Sequence, residues 1–226
     1  MSTSSIISKM MPFKIREWVK AEAEMRYWRR RHVEEGVLGN NHYEYFYTSL
    51  FELTRDDYSG LKVLDVGCGP RGSLEWADCA GERVGLDPLV DSYRDLGIDR
   101  HEMTYICAPA EAIPFGDSTF DIVASFNSLD HVRDPNIAAM ELYRVLAPGG
   151  LLLFIVEAEH EATLTEPHRL RADCHEKLFP KAETEWVRRY AMSGNDMYGS
   201  IKRNKRFAGE SHGIPHILVA KMHKRN

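Results

Sequence analysis

The sequence predicts an α/β protein with a doubly wound, mostly parallel seven-stranded sheet, an antiparallel last strand and an N-terminal helical cap. After Gly60, short apolar or β-branched runs alternate with helical stretches, a pattern typical of βαβ units. A glycine-rich turn follows the first of these runs. The length of 226 residues suits one α/β domain with a helical extension. We therefore assign residues 1–58 to the cap and residues 59–226 to the sheet domain.

The segment before Gly60 predicts two helices. From Phe13 to about Gly36, one set of side chains recurs at alternating spacings of three and four, which places it on one helical face. Gly36 and a Gly-Asn-Asn sequence break this pattern, and a second, aromatic-rich segment runs from Tyr43 to Leu53. The residues of the shared face are Trp18, Ala21, Met25, Trp28 and His32.

Five apolar runs predict the parallel strands, and two later runs predict an antiparallel pair that finishes the sheet. Asp134-Pro135 predicts a helix start, because the carboxylate can cap the helix and proline suits its first position. That helix is expected to stop at Pro148-Gly149-Gly150. The seven runs are Lys62–Val66, Arg83–Leu86, Met103–Cys107, Phe120–Ser125, Leu151–Val156, Glu185–Tyr190 and His216–Met222.

The composition is that of an ordinary globular protein. A net charge of −5 indicates no overall attraction to nucleic acid or to an anionic membrane. The four cysteines form no C-x-x-C pair, which favours reduced thiols in a cytosolic enzyme. No apolar run approaches transmembrane length, and the N-terminus has no signal-peptide pattern. We therefore predict a cytoplasmic protein with no membrane partner and a small-molecule partner; the oligomeric state stays open.

The segment from Val63 to Gly72 predicts a buried strand, a glycine turn and then a helix. Glycine lets the backbone turn sharply and approach a ligand, and a helix N-terminus offers free N–H groups. Asp87 lies twenty residues after Gly67, at the end of the second strand, where a carboxylate accepts hydrogen bonds from ribose hydroxyls. These features predict an adenosine-type ligand, and they suit an NAD enzyme as well as a methyltransferase.

Four further features resemble the class I, Rossmann-like family of S-adenosylmethionine-dependent methyltransferases. They occur in the family's order between Gly60 and Val156. The resemblance implies that the protein uses S-adenosyl-L-methionine and releases S-adenosyl-L-homocysteine. The four features are the acidic Asp65 before the glycine turn, the stretch Ala110–Phe115, the stretch Ser118–Val123 with Asn127–Val132, and the stretch Leu142–Leu151.

The resemblance also implies how the cofactor is held. Gly67 and Gly69 would form the turn under its methionine and ribose portions, and Asp87 would hold the ribose. Asp65 would lie near the methionine amino group, which the carbonyl of Asn127 would also face. The implied cofactor-binding residues are Asp65, Gly67, Cys68, Gly69, Arg71, Asp87, Pro88, Ala110, Glu111 and Asn127.

Two positions depart from the family's pattern. Pro109 stands where the family usually has an acidic residue, so adenine recognition is expected to fall to the backbone of Ala110 or to Glu111. Gly72 comes one position later than in the commonest spacing, which predicts a looser turn. Arg71 is expected either to contact the cofactor's carboxylate or to be an exposed arginine of the turn.

Methyl transfer to a hydroxyl or a protonated amine requires alignment and a base that removes the proton. His131 follows the fourth strand and His168 follows the fifth, so both are the predicted catalytic residues. His131 is alternatively a structural residue, and the proton could instead leave to water or to Asp130 or Glu166.

Two other groups of residues, a set of potential metal ligands and a basic segment, allow a more specific functional interpretation. Four potential ligands lie within sixteen residues, but their spacing matches no standard zinc site, so no metal is predicted. The segment Val187–Asn226 is basic and includes Lys202–Arg206, which predicts a solvated loop or a lid that attracts an anionic acceptor. The four potential ligands are His160, His168, Cys174 and His175.

The predicted function is methylation of an oxygen or nitrogen of a small molecule, with a sugar or a secondary metabolite as the expected acceptor. The sequence after the fourth strand, Asn127–Asp130, lacks the Asn/Asp-Pro-Pro-Tyr/Phe stretch common in nucleic-acid methylators, which argues against a nucleic-acid partner. An NAD-dependent oxidoreductase and a non-catalytic S-adenosylmethionine-binding protein stay open as alternatives, because a fold does not imply turnover.

Overall fold

A seven-stranded sheet runs through the protein in the order β3-β2-β1-β4-β5-β7-β6. The computed structural model describes residues 13–194, 196–203, 205–207 and 212–226. Strands β1 to β5 pair in parallel, and β7 is antiparallel to its two neighbours, which confirms the predicted fold class. The strands are β1 Lys62–Val66, β2 Glu82–Asp87, β3 Thr104–Cys107, β4 Phe120–Phe126, β5 Leu146–Ala158, β6 Ala182–Ala191 and β7 His216–Lys224.

The sheet buries both of its faces, as its continuous apolar strands predict. Successive residues of a strand point to opposite faces, so Val63 and Leu64 enter different core clusters. One face packs against the helices of residues 135–145 and 174–178. The other packs against the aromatic segment that begins at Tyr43 and the helix of residues 197–202. The strand ends are therefore held from both sides.

Six α-helices lie within the described ranges. The side chain of Asp134 accepts hydrogen bonds from the backbone N–H groups of Asn136 and Ile137, which confirms the predicted helix start. This helix ends at Val145, earlier than predicted, because β5 already begins at Leu146. The helices are α1 Phe13–Glu35, α2 Tyr43–Tyr47, α3 Val90–Tyr93, α4 Pro135–Val145, α5 Cys174–Leu178 and α6 Met197–Lys202.

The cap packs on the sheet domain through the second half of α1. Met25 is buried in a small core with Val90 and Tyr93 of α3. Trp18, on the face predicted to be apolar, is 65% exposed, so only part of that face is covered. The second predicted helix is shorter than expected and continues as a 3₁₀ turn. The first twelve residues of the predicted cap lie outside the described residues.

The helix predicted after the glycine turn is absent from residues 73–80, which form successive turns instead. Backbone hydrogen bonds join residues three apart, as in Ala77 N–H to Leu74 O at 3.1 Å. The segment is short and lies between Gly72, which has φ +70°, and Gly81, which packs on the backbone of Gly60. An eight-residue stretch is too short to stabilise a helix by itself, and burial of Leu74 favours the observed path.

The basic segment is more ordered than a solvated loop. Its first residues belong to β6, and residues 197–202 form α6. Backbone hydrogen bonds then join Lys205 O to Ala191 and Phe207 N–H to Arg189, at the end of β6. Asn204 of the predicted basic stretch lies outside the described residues. Elsewhere, all four cysteines are free. None of the described helices is long and apolar enough to cross a bilayer.

Candidate functional site

The turn after β1 is fixed by close packing. Gly67 has φ +79°, and a Cβ atom there would lie 2.3 Å from the Cβ of Ser128. Its N–H donates to Leu86 O at 2.8 Å, and the hydroxyl of Ser128 donates to Val66 O at 2.9 Å. Only glycine fits this position, because any side chain would collide with the segment that follows β4. The turn and the end of β4 therefore form one unit.

Asp87 connects this turn to the end of β2. One carboxylate oxygen accepts the N–H of Gly69 at 3.2 Å, and the other accepts the N–H of Leu89 at 2.9 Å. Burial raises the pKa of Asp87 to about 6, although these two hydrogen bonds oppose the shift. The structure thus places Asp87 beside Gly69, where the sequence predicts the ribose contact. Cys68 is buried, and Pro88 is exposed.

Two polar residues, Asp65 and Asn127, lie at the ends of β1 and β4. Asp65 is buried and accepts the hydroxyl of Ser73 at 2.5 Å, and burial raises the pKa of Asp65 to about 6. Asn127 has φ +52°, a conformation that asparagine tolerates at a strand end. Its Oδ1 is buried and makes no hydrogen bond within the described residues. A cationic donor such as an amino group would satisfy this oxygen.

Arg71 is buried, so its interpretation as an exposed turn residue is wrong. Its guanidinium makes two hydrogen bonds to the carboxylate of Glu35, at 2.8 and 2.7 Å, and a third to Gly39 O at 2.7 Å. This pairing lowers the pKa of Glu35 to about 2. The guanidinium also lies 5.4 Å from the ring centre of Trp28. Arg71 therefore joins the cap to the turn, and its contact with a cofactor remains a prediction.

The carboxylate of Glu111 is already hydrogen-bonded to backbone groups, so it is not free to contact an adenine. Its Oε1 accepts the backbone N–H of Arg133 at 2.7 Å and of Asp134 at 3.0 Å, at the start of α4. Ala110 is buried, and Pro109 is exposed. Adenine recognition through the backbone at Ala110 agrees better with this arrangement than recognition through the carboxylate of Glu111.

A cluster of carboxylates and imidazoles lies beyond β4 and β5. Nε2 of His131 is 4.0 Å from Oδ1 of Asp130 and 3.8 Å from Oε1 of Glu166. Asp130 is buried, whereas about a third of each of the other two side chains is exposed. Lys20 of α1 donates to His131 O at 2.6 Å, which ties the cap to this cluster. Asp130 and His131 follow the fourth strand and Glu166 follows the fifth, and residues after these two strands are expected to converge beyond their carboxyl ends. The individual distances were not predictable from the spacing of the residues.

His160 and Glu157 complete the surroundings of Asp130. Nε2 of His160 lies 3.5 Å from Oδ2 of Asp130, and this carboxylate raises the pKa of His160 to about 9. His160 is therefore protonated at neutral pH and unsuited to accept a proton. Burial raises the pKa of Glu157, and the nearby charges of Glu166 and Asp130 add to that shift.

His168 borders a cavity of about 380 Å³ between α1 and the loops after β4 and β5. Its Nε2–H donates to Val132 O at 2.8 Å, which leaves Nδ1 as the nitrogen able to accept a proton. Lys20 lines the same cavity and holds the backbone of His131, so the two predicted histidines share one neighbourhood. The other residues around the cavity are Arg16, Glu17, Val132, Arg133, Ala162, Thr163, Pro167 and Arg169.

Comparison with known proteins gives consistent matches. Residues 64–154 match the family described as "Methyltransferase domain". A malonyl-[acyl-carrier protein] O-methyltransferase from Pseudescherichia vulneris is 33% identical over 49% of this chain and 47% of its own length. A ubiquinone/menaquinone biosynthesis C-methyltransferase from Saccharophagus degradans is 33% identical over 48% of this chain and 47% of its own. The chain spans about half the length of the curated relatives it matches.

Structural similarity covers more of this chain than sequence similarity does. A solved S-adenosylmethionine-dependent methyltransferase from Thermotoga maritima superposes with a TM-score of 0.61 at 15% identity. This match covers 92% of the present chain and all of the other one. At such identity the likeness establishes the fold and does not establish the acceptor.

Proposed function

We propose that this chain, a class I, Rossmann-like S-adenosylmethionine-dependent methyltransferase, transfers the methyl group to an oxygen or nitrogen of a small anionic molecule. The curated relatives named above are called O- and C-methyltransferases, so their names leave the acceptor atom open. The proposal therefore depends on the arrangement of this chain's own residues at the ends of its strands.

The residues at the turn after β1 suit S-adenosylmethionine. Gly67 and Gly69 allow a ligand to approach the backbone, and the buried Asp87 carboxylate at the end of β2 can accept hydroxyl groups. The unpartnered Oδ1 of Asn127 suits the methionine amino group. When bound, the cofactor supplies an electrophilic methyl group on a sulfonium. The chain's contribution is to bind and orient both reactants.

The basic cavity beside His168 is the observation that carries the acceptor proposal. Its lining includes four cationic side chains and one acidic side chain. It lies beyond the carboxyl ends of β4 and β5, the edge of a doubly wound sheet where ligands bind. A carboxylate or phosphate on the acceptor would be attracted there. The four cations are Arg16, Lys20, Arg133 and Arg169.

His131 is the side chain best placed to take a proton from the acceptor. Its Nε2 is buried and makes no hydrogen bond within the described part of the chain, and Glu166 lies 3.8 Å away. A nearby carboxylate stabilises the imidazolium that forms when the ring accepts a proton. His168 is the second candidate, through Nδ1, whereas the protonated His160 is not one.

A sugar acid, a phosphorylated sugar or an acidic secondary metabolite would meet these requirements. The experiment is an assay of S-adenosylhomocysteine release with panels of anionic and neutral acceptors of each kind. We expect release with one anionic class, and a loss of that activity when Lys20 and Arg169 are both replaced by Gln. Activity restricted to neutral acceptors, or undiminished in the double variant, would contradict the proposal.

Two other functions are separated by binding measurements. An NAD-dependent oxidoreductase would bind NADH and enhance its fluorescence, whereas we expect binding of S-adenosylmethionine only. A non-catalytic binding protein would bind S-adenosylmethionine and release no S-adenosylhomocysteine with any acceptor of the panel.

A further inference from the structure

Two buried polar atoms near the end of β4 face each other without a hydrogen bond. Oδ1 of Asp130 and Nε2 of His131 are 4.0 Å apart, and neither makes a hydrogen bond within the described residues. Asp130 is 1% exposed. A buried carboxylate oxygen without a donor is costly, so a partner at this position would stabilise the protein.

Glu166 completes a set of three ligand atoms around this point. One atom each from Asp130, His131 and Glu166 lies within 4.8 Å of the other two. Around a tetrahedral ion with bonds of about 2.0–2.2 Å, neighbouring ligand atoms are about 3.4 Å apart. Movements of at most about 1.4 Å in the two partly exposed side chains would bring the atoms to such distances. Both side chains come from positions outside the helices and strands.

The chemistry of the three ligands is that of a divalent-ion site. Neutral imidazole and carboxylate together suit first-row ions such as Mn²⁺ and Zn²⁺, whereas Mg²⁺ and Ca²⁺ prefer oxygen ligands alone. Glu157 adds a third carboxylate to the neighbourhood, and Nε2 of His160 lies 3.5 Å from the other oxygen of Asp130. That contact resembles the outer interactions that orient the ligands of known metal sites.

We propose that Asp130, His131 and Glu166 bind one divalent first-row transition-metal ion. Three protein ligands leave a coordination position open, as in catalytic rather than purely structural sites. An oxygen of the acceptor can fill that position, which would align it beside the basic cavity. The site differs from the group His160, His168, Cys174 and His175, whose spacing excludes a standard zinc site.

This inference rests on the proposed function only where it places the acceptor beside the ion. Binding of the ion itself can be measured without S-adenosylmethionine and without an acceptor. In the ion-bound protein, Nε2 of His131 is a ligand, so the proton of a metal-bound hydroxyl would leave to water or to Nδ1 of His168. Failure to bind an ion would leave His131 as the base. Failure to release S-adenosylhomocysteine in an ion-loaded protein would contradict the proposed function instead.

The test is a titration of the metal-free full chain with Mn²⁺. Binding is measured as the loss of the electron paramagnetic resonance signal of free Mn²⁺, and Zn²⁺ is then added as a competitor. We expect one Mn²⁺ per chain, displaced by one Zn²⁺. Glu166→Gln and His131→Gln should each weaken Mn²⁺ binding by about 10²-fold or more, because each removes a ligand. Both side chains are partly exposed, so these variants are safer for folding than a change at the buried Asp130.

Glu161→Gln is the matched control. This carboxylate is 84% exposed, lies in the same loop and pairs with Arg169, outside the three-ligand set. It should leave Mn²⁺ affinity unchanged, and the melting temperature without metal should be similar in all three variants. Absence of binding by the wild-type chain would overturn the inference. So would binding that survives both Glu166→Gln and His131→Gln, or that falls equally in Glu161→Gln.

Discussion

The two ends of the candidate site are built differently. At the cofactor end, Asp87 is held by the N–H groups of Gly69 and Leu89. Asp65 is held by the hydroxyl of Ser73, and Oδ1 of Asn127 makes no hydrogen bond within the described residues. At the acceptor end, side chains from distant segments face one another at 3.5 to 4.0 Å, and Asp130 and His131 each have a buried atom without a hydrogen bond. Backbone-anchored groups are already in place before a ligand binds, whereas the acceptor end gains its remaining partners from a ligand.

This difference explains why the residues of the cofactor end were easier to predict from the sequence than those of the acceptor end. The cofactor end follows from local sequence, because a strand, a glycine turn and an acid at the end of the next strand recur at fixed spacing. At the acceptor end, the convergence of the residues after the fourth and fifth strands was expected from the sheet topology. The specific approach of Glu166 to His131 was not, because no local pattern indicates the course of the loops.

The largest effect is expected at the acceptor end. His131→Gln should lower turnover by about 10²- to 10⁴-fold, because the variant loses the nitrogen that accepts a proton or binds the ion. The affinity for S-adenosylmethionine should change little, since His131 is not one of the residues assigned to the cofactor. Single-turnover kinetics and calorimetry would measure the two quantities. A parallel loss of turnover, affinity and melting temperature would instead indicate a structural histidine.

At the cofactor end, Asp87→Ala should weaken S-adenosylmethionine binding by about 10- to 100-fold. A charge-assisted hydrogen bond contributes about 1.5–3 kcal/mol, and the variant also frees the N–H of Gly69. Asp99→Ala removes an exposed carboxylate that pairs with Arg94, and it should leave affinity unchanged. An unaltered dissociation constant for Asp87→Ala would remove this residue from the site.

Cofactor affinity should also depend on pH below neutrality. The pKa of Asp87 in the free protein is about 6, and the ribose requires the ionised form, so affinity should fall as the pH drops through 6. The expected decrease between pH 7.5 and pH 5 is about tenfold, because about nine tenths of such a carboxyl is protonated at pH 5. Asp65, with a pKa also near 6, would steepen the profile. If the affinity of Asp87→Asn showed the same dependence on pH as that of the wild-type protein, the pH dependence could not be due to Asp87.

The link between the cap and the turn should have a moderate effect on stability. Arg71→Met breaks the paired hydrogen bonds with Glu35, and it should lower the free energy of unfolding by about 1–3 kcal/mol. Denaturant unfolding of Arg71→Met, Glu35→Gln and the double variant would measure the coupling between them. Arg30→Ala, which removes an exposed pair on the same helix, should leave the midpoint unchanged. Additive effects of the two single changes would show that the pair is not coupled.

The smallest effect is expected for the adenine amino group. Pro109 offers no side-chain acceptor, and Glu111 is occupied by the backbone at Arg133 and Asp134. A cofactor analogue without that amino group should therefore bind with less than about threefold loss, below the effect of one ordinary hydrogen bond. A large loss with the wild-type protein would show that the pocket still recognises the amino group.

Much of the fold was predictable, because runs such as Leu151–Val156 are continuously apolar and Asp134-Pro135 is a strong local start signal. The missing helix after Gly72 was not, since tertiary packing of Leu74 overrides the short local pattern. Burial of Arg71 also escaped prediction, because its partner Glu35 is 36 residues away. Contacts of this kind have no periodic signature in one sequence.

The most direct test of the central claim is a calorimetric titration of the full chain with S-adenosylmethionine, repeated with NADH and with the Asp87→Ala protein. Our account predicts one molecule of S-adenosylmethionine per chain, no heat of binding with NADH, and the weaker binding given above for Asp87→Ala. Binding of NADH in place of S-adenosylmethionine, or equal S-adenosylmethionine affinity in both proteins, would contradict the account.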